Sequence, residues 1–180
     1  MTESCTLVIF GATGNLAQVK LFPALYHLDA AGLLEPGIRI LCNGRSAFDV
    51  DAWRAHIAAA IDAHARKPRD PAVFERFVQR FDYFRGDLTG PAAYQGLQSE
   101  LAASRYPPNH VFYVALPPAG YGDLVAALGE AGMLDESGGA WRRVVIEKPF
   151  GSDLHSAREL QQRIARHLAE LQIYRIDHYM

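Results

Sequence analysis

The sequence predicts an α/β fold, a doubly wound parallel sheet of about six strands with helices on both faces. Three observations predict it. Short unbroken apolar runs alternate with longer segments of helical periodicity. A glycine-rich turn, Gly11-Ala12-Thr13-Gly14, separates the first run from the first helical segment. Polar clusters follow the apolar runs directly, at the strand ends where an open parallel sheet binds its ligands.

Residues 6–10 (TLVIF) form an apolar run of the kind a strand covered on both faces requires. Residues 16–31 read as a helix, with Leu16, Lys20, Leu21, Leu25 and Leu28 at helical spacing. Pro23 lacks a backbone donor and kinks or restarts that helix, and Gly32 is placed to close it. Residues 38–42 form a second strand. Asp49 and Asp51 can cap a helix whose inward face is Trp53, Ile57, Ala60, Ile61 and His64. Asp70-Pro71 starts another, with Phe74, Phe77, Val78 and Phe81 as its apolar stripe, and residues 82–85 form a weaker strand. Gly90-Pro91 opens a helix carrying Tyr94, Leu97 and Leu101. Residues 110–116 (HVFYVAL) are a strong strand stopped by Pro117-Pro118. Residues 121–131 are helical, closed by Gly132, and residues 135–140 are a polar loop. Residues 143–147 (RVVIE) form the next strand. Ser152 or Asp153 caps a long helix to about Leu171, with Leu154, Ala157, Leu160, Ile164 and Leu168 inward, and residues 172–176 form the last strand. Strands alternating with helical crossovers make this a Rossmann-like sheet, expected to occupy residues 1–180 as one domain.

Composition excludes several classes of function. The apolar fraction of 49% and charged fraction of 21% are those of an ordinary globular chain. A net charge of −2 gives no basic field for nucleic acid or anionic lipid. The longest apolar runs, such as residues 111–118, are too short to span a bilayer, and the N-terminus has no signal-peptide pattern, so a cytoplasmic protein is expected. Cys5 and Cys42 make neither a disulfide framework nor a metal pattern and read as buried thiols. His27, His56, His64, His110, His155 and His167 lack ligand-like spacing, and no metal is expected.

The turn Gly11-Ala12-Thr13-Gly14-Asn15-Leu16-Ala17 is a G-x-x-G-x-x-A loop between strand and helix. Gly11 can take a positive φ, Gly14 lets a pyrophosphate approach the backbone, and Ala17 lets the helix lie close to the strand. Nucleotide binding is the reading this context supports, with a ligandless strand–helix turn as the alternative. An NAD site places a carboxylate after the second strand to hold the ribose 2′-hydroxyl. Residues 38–46 hold no acid there and end in Asn43-Gly44-Arg45-Ser46. A guanidinium at Arg45 suits a 2′-phosphate, so NADP is favoured over NAD.

Two more clusters, Glu147-Lys148-Pro149-Phe150-Gly151 and Arg175-Ile176-Asp177-His178-Tyr179, complete a set with GATGNLA and the Lys20-Leu21-Phe22-Pro23 stretch. Together they resemble the N-terminal dinucleotide-binding domain of the glucose-6-phosphate dehydrogenases, over essentially the whole chain. The resemblance implies oxidation of C1 of glucose 6-phosphate to the 6-phosphogluconolactone with reduction of NADP, or NAD in some members. It implies cofactor contacts from Gly11, Thr13, Gly14, Asn15, Leu16, Arg45, Pro117, Lys148 and Pro149. It assigns Lys20, Lys148, His178 and Tyr179 to glucose 6-phosphate, and makes Asp177 the carboxylate that orients a general-base histidine. Pro149 is expected to hold Lys148 extended and to stiffen this corner. Asn15 stands where the family often has Asp, and Gln18 and Val19 where basic residues are frequent. The general-base histidine, the phosphate-binding lysine that follows RIDHY in the family, and the second, dimer-forming domain are expected to lie outside these 180 residues. Full-length members homo-oligomerise. The chain alone is therefore expected to bind cofactor with little turnover. Two other readings are a sugar oxidoreductase with an EKP lysine, which RIDHY argues against, and a non-catalytic NADP-sensing module, which leaves EKPFG and RIDHY unexplained.

Overall fold

The structure, a computed structural model, describes residues 3–177. Six strands run β1 (Cys5–Phe10), β2 (Arg39–Gly44), β3 (Phe81–Arg85), β4 (Asn109–Val114), β5 (Arg142–Glu147) and β6 (Ile173–Ile176). They form one parallel sheet in the order β3-β2-β1-β4-β5-β6, the Rossmann order. The order reverses between β1 and β4, which opens a crevice at the carboxyl ends of the strands.

Alternate side chains of the central strands feed two core layers. Val8, Phe10, Phe112, Val114, Val144 and Ile146 pack on one face, against α4 (Pro91–Leu101), α5 (Tyr121–Glu130) and α6 (Leu154–Ile164). Ile9, Ile40 and Cys42 pack on the other, against α1 (Phe22–Ala30), α2 (Val50–His64) and α3 (Pro71–Val78). The expected caps form. Asp49 accepts from the Ala52 N–H, and Asp70 from those of Ala72 and Val73. Asp153, not Ser152, caps α6 through Ser156. Gly32 (φ 68°) closes α1, with Leu33 N–H donating back to Leu28 O at 2.8 Å.

Several local expectations are corrected. The first helical segment restarts at Pro23 as expected, with Pro23 in the first turn of α1, but the part before it is a π turn over Ala17–Leu21, in which Phe22 N–H reaches Ala17 O. The wider turn leaves room where the proline ring would clash with a carbonyl, and it rotates the helix face. Ala17, Phe22, Tyr26 and Asp29 therefore point inward, while Leu28 is 40% exposed and Leu16, Leu21 and Leu25 are half-buried. His64, at the last position of α2, is exposed. Phe81 belongs to β3, paired with Ile40, because α3 ends at Val78. β4 ends at Val114, before the prolines. α6 stops at Ile164, well short of Leu171, because the chain must turn back to enter β6. Gln172 secures that turn, accepting from Ala169 N–H and donating to Leu134 O. Leu154 is 67% exposed, whereas Ile164 and Leu168 are buried and Leu160 packs half-buried against the core.

Candidate nucleotide and hydride-transfer site

Gly11, Arg45, Lys148 and Asp177 each follow a strand immediately, and Pro117 lies three residues past β4. The parallel register thus gathers them along one rim of the sheet.

The glycine loop is built for close approach. Gly11 has φ 78°, and a Cβ there would lie 2.5 Å from Ala115 O. Ala12 N–H donates to Asn43 O at 3.0 Å, tying the loop to β2. The buried Asn43 amide in turn donates to Phe84 O and Gly86 O, tying β2 to the exit of β3. Gln18 Nε2 donates to Thr13 O at 2.8 Å and closes the loop from the helix side. The first helical acceptor is Gly14 O, reached by Gln18 N–H at 3.2 Å. Asn15 therefore sits exposed in the first turn rather than capping it, with Leu16 half-buried beside it. The loop borders a cleft of about 1010 Å³ lined by Gly11, Thr13, Gly14, Arg45 and Pro117 and walled by α4 and α5. That volume suits a dinucleotide-sized ligand. The N–H groups of the first turn form the positive end of the helix dipole, which is favourable for phosphate.

A second cluster forms at the ends of β5 and β6. Glu147 pairs with Ile176 in the ladder, which places the next residues, Lys148 and Asp177, side by side. Lys148 Nζ lies 2.6 Å from Asp177 Oδ2 in a partly exposed ion pair. The Lys148–Pro149 peptide is cis, a geometry that the expectation of a merely extended corner did not include. Pro149 borders a neighbouring cleft of about 770 Å³. Lys20 is exposed on the π turn and makes no hydrogen bond or ion pair with Lys148 or Asp177. His178 and Tyr179 lie outside the described residues.

Sequence reasoning missed the support beneath Lys148. Tyr113 pairs with Val145, so its side chain shares a sheet face with Glu147, two residues on. Its hydroxyl donates to Glu147 Oε1, and Glu147 is 4% exposed. Burial, then the neighbouring carboxylate, pushes the Tyr113 phenol well up, and Tyr121 is raised by the same causes. Both phenols therefore stay protonated donors near neutral pH. The strand pairing of 110–116 with 143–147 was the only sequence signal for this contact. The buried Cys42 thiol is raised well above its ordinary value by desolvation, the state of an inert core cysteine. Among the described residues, no cluster of three or more His, Cys, Asp or Glu could hold a metal ion, and no helix is long and apolar enough to cross a membrane.

Residues 8–180 match the family described as glucose-6-phosphate dehydrogenase, NAD binding domain. The chain belongs to the glucose-6-phosphate dehydrogenase family. A nicotinamide dinucleotide is accordingly the cofactor of this domain. The chain is 40% identical over 179 residues to the glucose-6-phosphate 1-dehydrogenase of Treponema pallidum (strain Nichols), covering 97% of this chain and 35% of that protein. It is 36% identical over 178 residues to the enzyme of the same name from Dickeya dadantii (strain 3937), covering 99% and 35%. The crystal structure of glucose-6-phosphate 1-dehydrogenase from Mycobacterium avium superposes with a TM-score of 0.85 at 35% identity, over 97% of this chain and 36% of that one. A glucose-6-phosphate dehydrogenase in complex with its substrate glucose-6-phosphate gives a TM-score of 0.81 at 32% identity, over 97% and 36%. The chain thus spans about 35% of the length of the family members it matches.

Proposed function

We propose that residues 1–180 form the cofactor domain of an NADP-dependent glucose-6-phosphate dehydrogenase, the protein that oxidises C1 of glucose 6-phosphate to the 6-phosphogluconolactone. The observation that carries this reading is the placement of the Lys148–Asp177 ion pair on the same sheet rim as the glycine loop and Arg45. When bound, NADP accepts the hydride. The residues present fit it: a loop that excludes a Cβ at Gly11, a cleft of about 1010 Å³ beside that loop, and an arginine where NAD sites carry an acid.

In this reading Gly11, Thr13, Gly14, Asn15 and Leu16 face the pyrophosphate as the loop and first helical turn. Arg45 faces the 2′-phosphate, and Pro117 and Pro149 shape the nicotinamide end. Lys148, supported by the Tyr113–Glu147 contact, orients the sugar, with Lys20, His178 and Tyr179 as its further contacts. Asp177 fixes the tautomer of the base that removes the C1 hydroxyl proton. Here Asp177 pairs with Lys148, and His27, His56, His110 and His155 make their contacts elsewhere. A general base contributes about 10²–10⁴-fold. The 180 residues alone should therefore bind cofactor and turn over little.

Calorimetric titration of NADP into the chain tests this, followed by addition of glucose 6-phosphate with absorbance of the reduced cofactor monitored. Tight NADP binding that Arg45→Ala weakens, with turnover at or near background, is expected. Absence of nucleotide binding by a folded chain refutes the reading.

A further inference from the structure

The turn that carries Arg45 is held from below by β3, and this points to a second cation at the same place. Gly44 and Arg85 are ladder partners at the carboxyl ends of β2 and β3. Two side chains of β3 grip the turn beyond them. Tyr83 Oη donates to Ser46 O at 2.8 Å, and Arg85 Nε donates to Arg45 O at 3.3 Å. The Arg85 guanidinium is thus anchored through Nε on the backbone of Arg45, while its two terminal nitrogens have no protein partner among the described residues. Among the described residues neither Arg45 nor Arg85 is ion-paired, whereas Arg39, Arg76, Arg80 and Arg143 each have a carboxylate partner. Asp87, the carboxylate closest in sequence to Arg85, lines the cleft but pairs with neither arginine. An exposed guanidinium anchored through Nε beside the Arg45 turn keeps its terminal N–H pair available to an anion.

We propose that Arg85 is a second specificity-determining residue of the cofactor site, forming with Arg45 a two-arginine clamp for a phosphate monoester on the adenosine ribose. The proposal rests on the nucleotide-binding reading above and extends it to a residue from a different strand. Arg85 acts in two ways. Its Nε holds the Arg45 turn, and its terminal N–H groups give the dianion a second charge-assisted partner. Tyr83 contributes only the brace. The two roles separate by ligand: a brace serves every dinucleotide, whereas a phosphate ligand matters only when the 2′-phosphate is present.

The test is calorimetry on the 180-residue chain with NADP, NAD, 2′-AMP and 5′-AMP, comparing wild type, Arg85→Ala, Arg85→Lys and Tyr83→Phe. Loss of one charged hydrogen-bond partner corresponds to about tenfold in affinity. Arg85→Ala should weaken NADP and 2′-AMP by about that factor and leave NAD and 5′-AMP within about twofold, while Arg85→Lys restores part of the NADP affinity through its charge. Retained NAD binding serves as the folding control for each variant. Equal weakening of NADP and NAD by Arg85→Ala, matched by Tyr83→Phe, would reduce Arg85 to a brace and overturn the proposal. No weakening of either would also overturn it. Wild-type protein that binds NAD but not NADP overturns the clamp and leaves the nucleotide-binding reading intact; wild-type protein that binds neither overturns both.

Discussion

Two glycines with positive φ show how differently the same backbone conformation is used in this chain. Gly132 (φ 71°) ends α5 with nothing within 4 Å of a built Cβ. Alanine there should cost only the left-handed conformation, about 1 kcal/mol. Gly11 (φ 78°) has the same conformation, but a Cβ would strike Ala115 O at 2.5 Å and Leu116 Cδ2 at 2.9 Å. The carbonyl belongs to the sheet rim and cannot move without carrying the exit of β4. Gly11→Ala should therefore destabilise more than Gly132→Ala and remove NADP binding. Gly132→Ala should bind NADP like wild type. Urea unfolding and NADP titration of the two variants check this, and equal behaviour in both assays would show that the close approach at Gly11 has no role. Gly11 was legible from its place after TLVIF. Gln18 was not, because a glutamine in a first helical turn carries no signal until the loop folds back to bring Thr13 O within 2.8 Å.

At the scale of elements, α1 and α3 are joined by charge as well as by apolar contact. Asp29, on α1, is 3% exposed and receives Arg76 at 2.7 Å and Arg80 at 3.0 Å. Arg80 also donates to the carbonyls of Glu35 and Pro36, so this cluster fixes the path from α1 into β2. Removing one partner of a buried pair leaves an uncompensated charge, a loss of about 3 kcal/mol. Asp29→Asn should lower the urea midpoint accordingly with the slope unchanged. A loss below about 1 kcal/mol would show that solvent reaches Arg80 as well as the exposed Arg76. Most element types and the rim were readable from sequence, because unbroken apolar runs of five or six residues leave little choice but a covered parallel strand. What was not readable followed from tertiary demands. The π turn at Ala17–Leu21 depends on where Pro23 meets the carbonyl a turn earlier, and it moved the buried face from the leucines to Phe22, Tyr26 and Asp29. The length of α6 depends on the return path to β6 and not on its own periodicity. The same holds for the site. Lys148 and Asp177 were identifiable as residues, but their 2.6 Å pairing is a product of strand register, and Tyr113 could be recognised only through that register.

The whole molecule carries a pH-dependent liability at the end of the sheet opposite the cofactor rim. His110 sits at the start of β4, 8% exposed, edge-on to Phe112, and its Nε2 has no partner. Burial first, and then the Arg142 guanidinium across the ladder, push its pKa down to about 4. The unfolded chain has an ordinary histidine there, near 6.5. Between those two values the unfolded state binds more protons than the native state, so stability falls as pH falls through that window and levels off below about 4. From pH 7 to pH 5 the difference amounts to about 2 kcal/mol. His110→Gln removes this contribution while the other titrating groups stay in place. Urea unfolding at pH 7 and pH 5 should therefore show wild type losing about 2 kcal/mol more than the variant over that interval. Parallel losses in the two proteins would mean that His110 titrates normally in the native state, through water reaching Nε2. Because the histidine lies at the far end of the sheet from the glycine loop, NADP affinity per folded molecule should be the same in both proteins at pH 7, which separates the stability of the sheet from the chemistry at its rim.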